Sequence, residues 1–229
     1  MGFEGVRNCS SEIEMNACTQ SFTYVGNVGR LKIPFFQRAY VWDNKNWQDL
    51  LSALLEFEKN KFLGTLIFKK YSLPVVEANE VLVVDGQQRL TTLSIFLKAL
   101  YDLFDQELRE NSKASLERCL FYKRNPTDKK LLIKIHHSHA DAVAYKQVME
   151  SNDLINRLET IGSESTGILR CYRFFVEQLA RLDQDSRVSL FNELLDDNNS
   201  IFAVVYLSEE DNEQEVFQMA NATGVKLSL

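Results

Sequence analysis

Residues 81–93 read Val-Leu-Val-Val-Asp-Gly-Gln-Gln-Arg-Leu-Thr-Thr-Leu, and no other part of the chain constrains the fold as strongly. The first four residues are apolar and mostly β-branched, as in a buried strand, and the Asp85-Gly86 pair is typical of a turn. Beyond the turn, apolar residues recur at three- and four-residue intervals, as on one face of a helix that begins near Gln87. These residues are Leu90, Leu93, Leu97, Leu100 and Phe104. The pattern predicts a strand, a turn and a helix in succession.

The start of this predicted helix carries a dense group of polar side chains. The first amide groups of a helix have no partners within it and lie at the positive end of its dipole, and Gly86 lets an anion approach the main chain closely. The apolar face does not need the side chains that follow, which are Gln87, Gln88, Arg89, Thr91 and Thr92. The pattern therefore indicates a ligand site that suits phosphate. The alternative is a capping box, in which Asp85 and Gln88 only satisfy the end of the helix.

Two segments outside this motif are further candidates for a site. Pro34 ends a predicted strand, because proline cannot donate to a sheet ladder, and a loop with Gln37 and Arg38 follows. Arg38 offers a fork of donors that fits phosphate oxygens, and Gln37 could bind a phosphate or a base edge; alternatively, both cap a helix or pair with surface acids. Gly64 lies in a strand predicted for residues 62–68, where it either makes room for a ligand or marks a bulge.

Three motifs, in this order along the chain, resemble one known family. Residues 33–42 read Ile-Pro-Phe-Phe-Gln-Arg-Ala-Tyr-Val-Trp, residues 62–64 read Phe-Leu-Gly, and residues 85–93 read Asp-Gly-Gln-Gln-Arg-Leu-Thr-Thr-Leu. With them the chain resembles the N-terminal domain of GmrSD-type restriction endonucleases, which is similar to the ParB nuclease-like fold. A weaker match runs from Phe217 through Asn221-Ala222-Thr223-Gly224 to Leu227, with Thr223 where the family usually has arginine. Because the family continues into further helices and a His-Asn-His type nuclease domain, we expect this chain to be a fragment.

The periodicity and the resemblance together predict an α+β protein, with a small mixed ParB-like sheet, packed helices and an α-helical subdomain. The sheet is expected to contain segments near Lys32, Phe62, Val81 and Ile201, and residues 22–25 are expected to form another short strand. The expected organisation is a flexible arm (1–20), the core with the Asp-Gly-Gln-Gln-Arg motif (21–112), a mainly helical subdomain (113–198), and a strand and helix that return to the core before a truncated end (199–229).

The resemblance implies a regulatory domain of a DNA restriction or anti-phage defence protein that binds a nucleoside triphosphate and, with Mg²⁺, hydrolyses it. The implied catalytic residues are Asp85, Gln88 and Arg89: Asp85 would hold Mg²⁺ or position the attacking water, Gln88 would orient that water, and Arg89 would clamp phosphate oxygens with Arg38. The implied nucleotide-binding residues are Gln37, Arg38, Gly64, Gly86, Gln87, Thr91, Thr92 and Asn221. Asn221 is equally compatible with a helix cap.

Two other functions stay open at this point. In the first, nucleotide or modified DNA binds at the same site without chemistry and gates a partner nuclease, which would be the His-Asn-His type domain or subunit absent from this chain. In the second, the ParB-like core is itself a nuclease. A nuclease would need metal-binding carboxylates around the scissile phosphate, whereas the motif offers only Asp85.

The composition limits the class of partner. A formal net charge of −6 and a pI near 5.2 argue against a protein that coats nucleic acid non-specifically, so any DNA contact must be local. One basic cluster either touches a nucleic-acid backbone or forms a solvated loop. Its members are Lys123, Arg124, Lys129, Lys130 and Lys134.

The cysteines and histidines do not predict a metal site. The four cysteines are far apart in the sequence, which fits a reducing cytoplasm better than a zinc site or a disulfide framework. His136, His137 and His139 follow a predicted strand, where adjacent residues point to opposite faces, so these rings are not expected to converge on a metal. No apolar stretch reaches membrane-spanning length, and we expect a cytoplasmic protein without a membrane partner.

Overall fold

The computed structural model describes residues 17–35, 37–56, 61–70, 80–125, 127–137, 139–208 and 210–211. The strands are β1 (Ala17–Gln20), β2 (Arg30–Lys32), β3 (Gly64–Lys70), β4 (Glu80–Asp85), β5 (Phe121–Tyr122), β6 (Leu132–Ile133), β7 (Ile135–His136) and β8 (Phe202–Leu207). The helices are α1 (Thr23–Asn27), α2 (Asn44–Leu55), α3 (Gln87–Asp102), α4 (Gln106–Leu120), α5 (His139–Glu150), α6 (Gly167–Leu179) and α7 (Gln184–Leu194), with a 3₁₀ helix at Leu154–Thr160.

The described strands form a six-stranded mixed sheet and a separate two-stranded ribbon. The order in the sheet is β1-β8-β3-β4-β2-β7, and β5 pairs with β6 in the ribbon. Strands β4, β2 and β7 are parallel neighbours, whereas β3 is antiparallel to β4 and parallel to β8. The predicted α+β class and mixed sheet are confirmed, and all four segments expected in the sheet belong to it. The carboxyl ends of β2, β4 and β7 consequently meet at one edge.

Helix α3 is the centre of the helical layer. Every residue of this helix except Tyr101 is buried, because four other helices pack against it and its apolar side chains share one core with those of the sheet. Phe96 of α3 and Phe175 of α6 pack edge to face, with ring centroids 5.2 Å apart. The helices predicted as a subdomain thus contribute to the same hydrophobic core as the sheet.

Two local predictions near the N-terminus are wrong. The arm predicted for residues 1–20 ends earlier, because Ala17–Gln20 pair with β8 as an edge strand; residues 1–16 lie outside the described residues. Residues 22–25 belong to a helical turn rather than a strand. Phe22 and Val25 are three residues apart, so one helical turn puts both side chains into the core.

The face of the sheet away from α3 has its own small cluster of buried apolar residues. They are Ile67, Leu82, Val84, Val205 and Leu207. On the same face, Arg30 and Lys32 both form ion pairs with Glu80, at 3.1 and 3.3 Å. Arg30 and Lys32 thus share one face of β2, as residues two apart on a strand do. Among the described helices, none combines the length and the apolar character that crossing a bilayer requires.

Lys134 is not part of an exposed basic cluster, contrary to the prediction. Its side chain is 1% exposed, and its ammonium group donates to the carbonyl oxygens of Val25, Gly26, Val28 and Arg118 at 2.7 to 3.1 Å. Three of these acceptors lie at the end of α1 and the fourth near the end of α4, where carbonyl groups have no partners within the helix. Burial lowers the pKa of Lys134 to about 8, whereas the four carbonyl oxygens favour the charged form.

Candidate functional site

A small polar pocket lies where the parallel strands β2, β4 and β7 end. The loop at residues 33–41 follows β2, helix α3 follows β4, and His137 follows β7. In mixed and parallel sheets, ligands bind outside the carboxyl ends of strands. The pocket has a volume of about 10 Å³, roughly the space of one water molecule. Its lining residues are Ile33, Arg38, Tyr40, Gln87, Gln88, Thr91, His137 and Asp141.

Three glutamine side chains fasten the loop at residues 33–41 to the β4–α3 unit. Gln37 donates to the carbonyl oxygen of Val84 at 2.9 Å, and Gln87 donates to that of Arg38 at 3.0 Å. Gln88 makes two bonds, since its Nε2 donates to the Ala39 carbonyl at 3.2 Å and its Oε1 accepts from the Val41 amide at 3.0 Å. The structure thus joins the two segments predicted to form the site.

The capping box is absent from the first turn of α3. The N-cap residue is Gly86, with φ of +93°, and no side chain caps this helix end. A Cβ atom at Gly86 would lie 2.4 Å from Leu66 Cδ2, so packing and the positive φ both require glycine there. Gln88 therefore binds the neighbouring loop, and neither Gln88 nor Asp85 forms the capping box.

Arg89 is buried, although the sequence predicts a residue that reaches a phosphate. Its guanidinium donates to the Thr65 carbonyl at 2.6 Å and lies 3.7 Å from Asp85 Oδ2. Burial lowers the pKa of Arg89, and the Asp85 charge opposes that shift.

Gly64 makes room for Arg89. A Cβ atom at Gly64 would lie 2.3 Å from Arg89 Nη1, and the backbone there has φ of +119°. The predicted bulge is not at Gly64: the irregularity in the pairing of β3 with β4 lies further along the strand, between Ile67 and Phe68. Room for a ligand, the other interpretation of Gly64, is taken by the guanidinium of the protein's own arginine.

Asp85 has an incompletely satisfied carboxylate. Its Oδ2 atom is buried and has no hydrogen-bond partner, although the side chain as a whole is 24% exposed. Within the described ranges, no group of three His, Cys, Asp or Glu residues could hold a metal ion. Mg²⁺ in nucleotide sites is often held by one or two carboxylates, with phosphate and water completing its shell. Asp85 fits such a partial role.

The two threonines predicted to bind nucleotide are buried in the helix. Thr91 and Thr92 donate to the carbonyl oxygens of Gln87 and Gln88, each at 2.7 Å. The Thr92 hydroxyl also lies 2.7 Å from Tyr40 OH.

Tyr40 is a buried hub that anchors the end of the loop. Its hydroxyl accepts a hydrogen bond from Trp47 Nε1 at 2.8 Å and lies 3.3 Å from Cys171 Sγ. Burial raises the pKa of Tyr40 well above its ordinary value, so the phenol stays neutral. Tyr40 belongs to the core, and is not placed to stack on a base.

Sequence reasoning missed two residues of the pocket, His137 and Asp141. The His137 ring is 6% exposed, lies 4.4 Å from the Tyr145 ring between centroids, and has Nε2 3.3 Å from the Thr91 hydroxyl. Burial lowers the pKa of His137 to about 3. Asp141 accepts a hydrogen bond from the Tyr40 amide at 2.7 Å. Recognising that residues 135–136 pair with β2 would have placed His137 here.

Arg38 is the predicted phosphate ligand that stays accessible. Its side chain is exposed at the pocket and makes no ion pair with a described residue, while its carbonyl group is held by Gln87. Asn221, the last of the predicted nucleotide-binding residues, lies outside the described residues.

Comparison with known proteins matches the chain to a protein family and to an archaeal relative. The chain is 33% identical over 84 residues to the uncharacterized protein MJ0686 of Methanocaldococcus jannaschii, an alignment that covers 28% of this chain and 14% of the archaeal protein. This chain thus matches only a small part of that relative. The family described as GmrSD restriction endonuclease, N-terminal domain, matches residues 22–229. The chain therefore belongs to the GmrSD restriction endonuclease N-terminal domain family.

Proposed function

We propose that this domain binds a nucleoside triphosphate and hydrolyses it, as the regulatory part of a restriction protein. The observation that carries the proposal is the state of two charged groups beside the first turn of α3. Arg38 is exposed and has no described ion-pair partner, and the Oδ2 atom of Asp85 is buried without a hydrogen bond. Both groups stand near amide groups that no side chain caps.

The binding step uses Arg38 and the start of α3. The pocket has room for about one water molecule, so we place the phosphates at its mouth and not inside it. Arg38 binds phosphate oxygens there with its fork of donors, and the backbone at Gly86 and Gln87 supplies further N–H groups. Gln87 and Gln88 act as positioning residues, because they hold the carbonyl groups of Arg38 and of Ala39, which follows it.

The hydrolytic step uses Asp85. The Asp85 side chain is 24% exposed, and its carboxylate accepts a hydrogen bond from the attacking water, while Arg89, 3.7 Å from Oδ2, orients the carboxylate. Mg²⁺, when bound with the nucleotide at Asp85, supplies positive charge to the phosphate oxygens. Arg89 is thus a positioning residue, since its other described bond is to the Thr65 carbonyl.

The test is incubation of the chain with ATP, GTP, CTP or UTP plus Mg²⁺, with phosphate release and thermal stabilisation measured together. Arg38→Ala changes an exposed residue and should fold normally. Because it removes donors to phosphate, we expect the nucleotide affinity, measured from the thermal stabilisation, to fall at least about 10-fold. Asp85→Asn should retain stabilisation and lose phosphate release. Lys45→Ala, exposed on α2, is the matched control and should change neither. Phosphate release that survives both site variants would refute the assignment.

A second function, nucleotide-dependent gating of a partner nuclease without hydrolysis, is favoured by one contact set. Both polar atoms of the Gln88 amide are engaged by the loop, so this side chain is not free to orient water as the resemblance implies. Stabilisation by nucleotide without phosphate release would support gating and exclude hydrolysis.

A further inference from the structure

The two-stranded ribbon brings the exposed basic residues together. Helix α4 leads directly into β5, and the register pairs Phe121 with Ile133 and Tyr122 with Leu132. We call residues 123–125 and 127–130, which lie between the two strands in the sequence, the basic tip. Because the strands of a ribbon are about 5 Å apart, the two arms of the tip start close together although six residues lie between Lys123 and Lys130 in the sequence.

The described residues of the basic tip carry four exposed cations. They are Lys123, Arg124, Lys129 and Lys130, and none of them forms an ion pair with a described residue. The carboxylate of Asp128 accepts from the Asn125 amide at 3.1 Å, and the Asp128 amide donates to the Asn125 carbonyl at 3.0 Å. The Asp128 carboxylate is thus bonded to a backbone amide of the tip and forms no ion pair with its four described cations.

The root of the ribbon is fixed to the core. The Lys134 amide donates to the Leu120 carbonyl at 2.9 Å, the Leu31 amide donates to the Lys134 carbonyl at 2.9 Å, and the Lys134 ammonium is bound by four carbonyl groups. The sheet and two helices thus hold the base of the ribbon in place. Preorganised charges lose less conformational freedom on binding than charges on a disordered segment.

We infer that the basic tip docks on the phosphate backbone of duplex DNA. Two cations on each arm of a ribbon suit an extended polyanion, and a two-stranded ribbon fits the DNA major groove. The whole chain is acidic, with a formal net charge of −6, so attraction to DNA must come from a local basic surface such as this tip. An anionic membrane fits less well, because the exposed large apolar residues of the described chain lie elsewhere, at Phe35, Val41, Leu55, Phe62 and Val143.

The tip and the pocket are separate surfaces. The ribbon joins β7 at its amino end through Lys134, whereas His137 of the pocket follows the carboxyl end of β7. DNA docking at the tip therefore does not depend on the proposed nucleotide site, and the two can fail independently.

The experiment measures binding of the full 229-residue chain to a fluorescent DNA duplex of about 20 base pairs, at salt concentrations from about 50 to 200 mM. Four phosphate contacts predict that log K falls against log salt with a slope of about −3 to −4. The variant K123Q/R124Q/K129Q/K130Q should lose at least about 10-fold in affinity at the lowest salt and most of this slope. Its thermal unfolding and its nucleotide-dependent stabilisation should match those of the wild type.

The matched control neutralises four exposed basic residues on other elements, as K45Q/K113Q/R170Q/R181Q. It makes the same change in net charge, and we expect it to retain most of the DNA affinity and the slope. Equal losses in the two quadruple variants would overturn the inference, because they would indicate a general charge effect. So would the absence of DNA binding by the wild type, or tip-dependent binding to vesicles that contain phosphatidylserine in place of binding to DNA.

Discussion

The guanidinium of Arg89 fills the space that a side chain at Gly64 would need: a Cβ atom added to Gly64 would lie 2.3 Å from Nη1 of Arg89. These two residues belong to motifs that are separated in the sequence, and their contact makes the two motifs one unit. The glycine is required twice, because its φ of +119° is also unfavourable for other residues.

Gly64→Ala should therefore displace the Arg89 guanidinium and break its 2.6 Å bond to the Thr65 carbonyl. We expect the free energy of unfolding to fall by about 2 kcal/mol or more, from backbone strain and the lost bond. Urea denaturation measures the change. Gly162→Ala is the control, since no atom lies within 4 Å of a Cβ there, and it should stay within about 0.5 kcal/mol. A neutral Gly64→Ala would show that the guanidinium is not confined.

Gln88→Met should release the loop that carries Arg38, since it removes the bonds to the Ala39 carbonyl and the Val41 amide. We expect a loss of about 1 to 2 kcal/mol in the free energy of unfolding and faster hydrogen exchange at the Val41 amide. Gln48→Met, exposed on α2, is the matched control and should leave exchange at Val41 unchanged. Full protection of Val41 in Gln88→Met would mean that other contacts hold the loop.

His137 should make the protein sensitive to acid. Its pKa in the folded state is about 3 against an ordinary 6.5, so between these pH values the unfolded chain binds a proton that the folded chain excludes. The free energy of unfolding therefore rises with pH in this window, by up to about 1.4 kcal/mol per pH unit. His137→Gln should flatten this slope above about pH 5, where most carboxyl groups stay ionised, and the exposed neighbour in His136→Gln should not. Equal slopes in wild type and His137→Gln would contradict this assignment.

Lys134→Met should destabilise the protein strongly. It leaves four carbonyl groups of α1 and α4 without their donor, and we expect a loss of about 3 kcal/mol in the free energy of unfolding. Lys129→Met, at an exposed position of the basic tip, should stay within about 0.5 kcal/mol. Similar melting curves for the two variants would show that the buried ammonium is dispensable.

The sequence predicted the part of the fold that local patterns determine. The run at residues 81–84, the Asp85-Gly86 turn and the apolar stripe of α3 all give short-range periodicity, and each element formed where it was expected. Gln37 and Arg38 were also predicted to share a site with the Asp85-Gly86 turn and the start of α3, and hydrogen bonds from Gln37 to Val84 and from Gln87 to Arg38 join the two segments. The catalytic and nucleotide-binding roles of these residues stay predictions.

The remainder depends on contacts between distant parts of the chain. Strand β7 has two residues, too few for a periodic pattern, and it exists because Ile135 and His136 pair with Leu31 and Lys32. Lys134 carries a charge that normally indicates solvent exposure, and only the carbonyl groups of two helix ends explain its burial. Arg89 also carries a charge, and the sequence therefore predicted a ligand-binding residue. In the structure its guanidinium packs beside Gly64 and donates to the Thr65 carbonyl.

The position of β8 has a consequence for synthesis on the ribosome. This strand, the last one described, lies between β1 and β3, which precede it by more than 130 residues. Until Leu207 has left the exit tunnel, β1 has no neighbour and one side of β3 is an open edge. Translation products that stop before Phe202 thus expose two unpaired edges, which favour aggregation and recognition by chaperones.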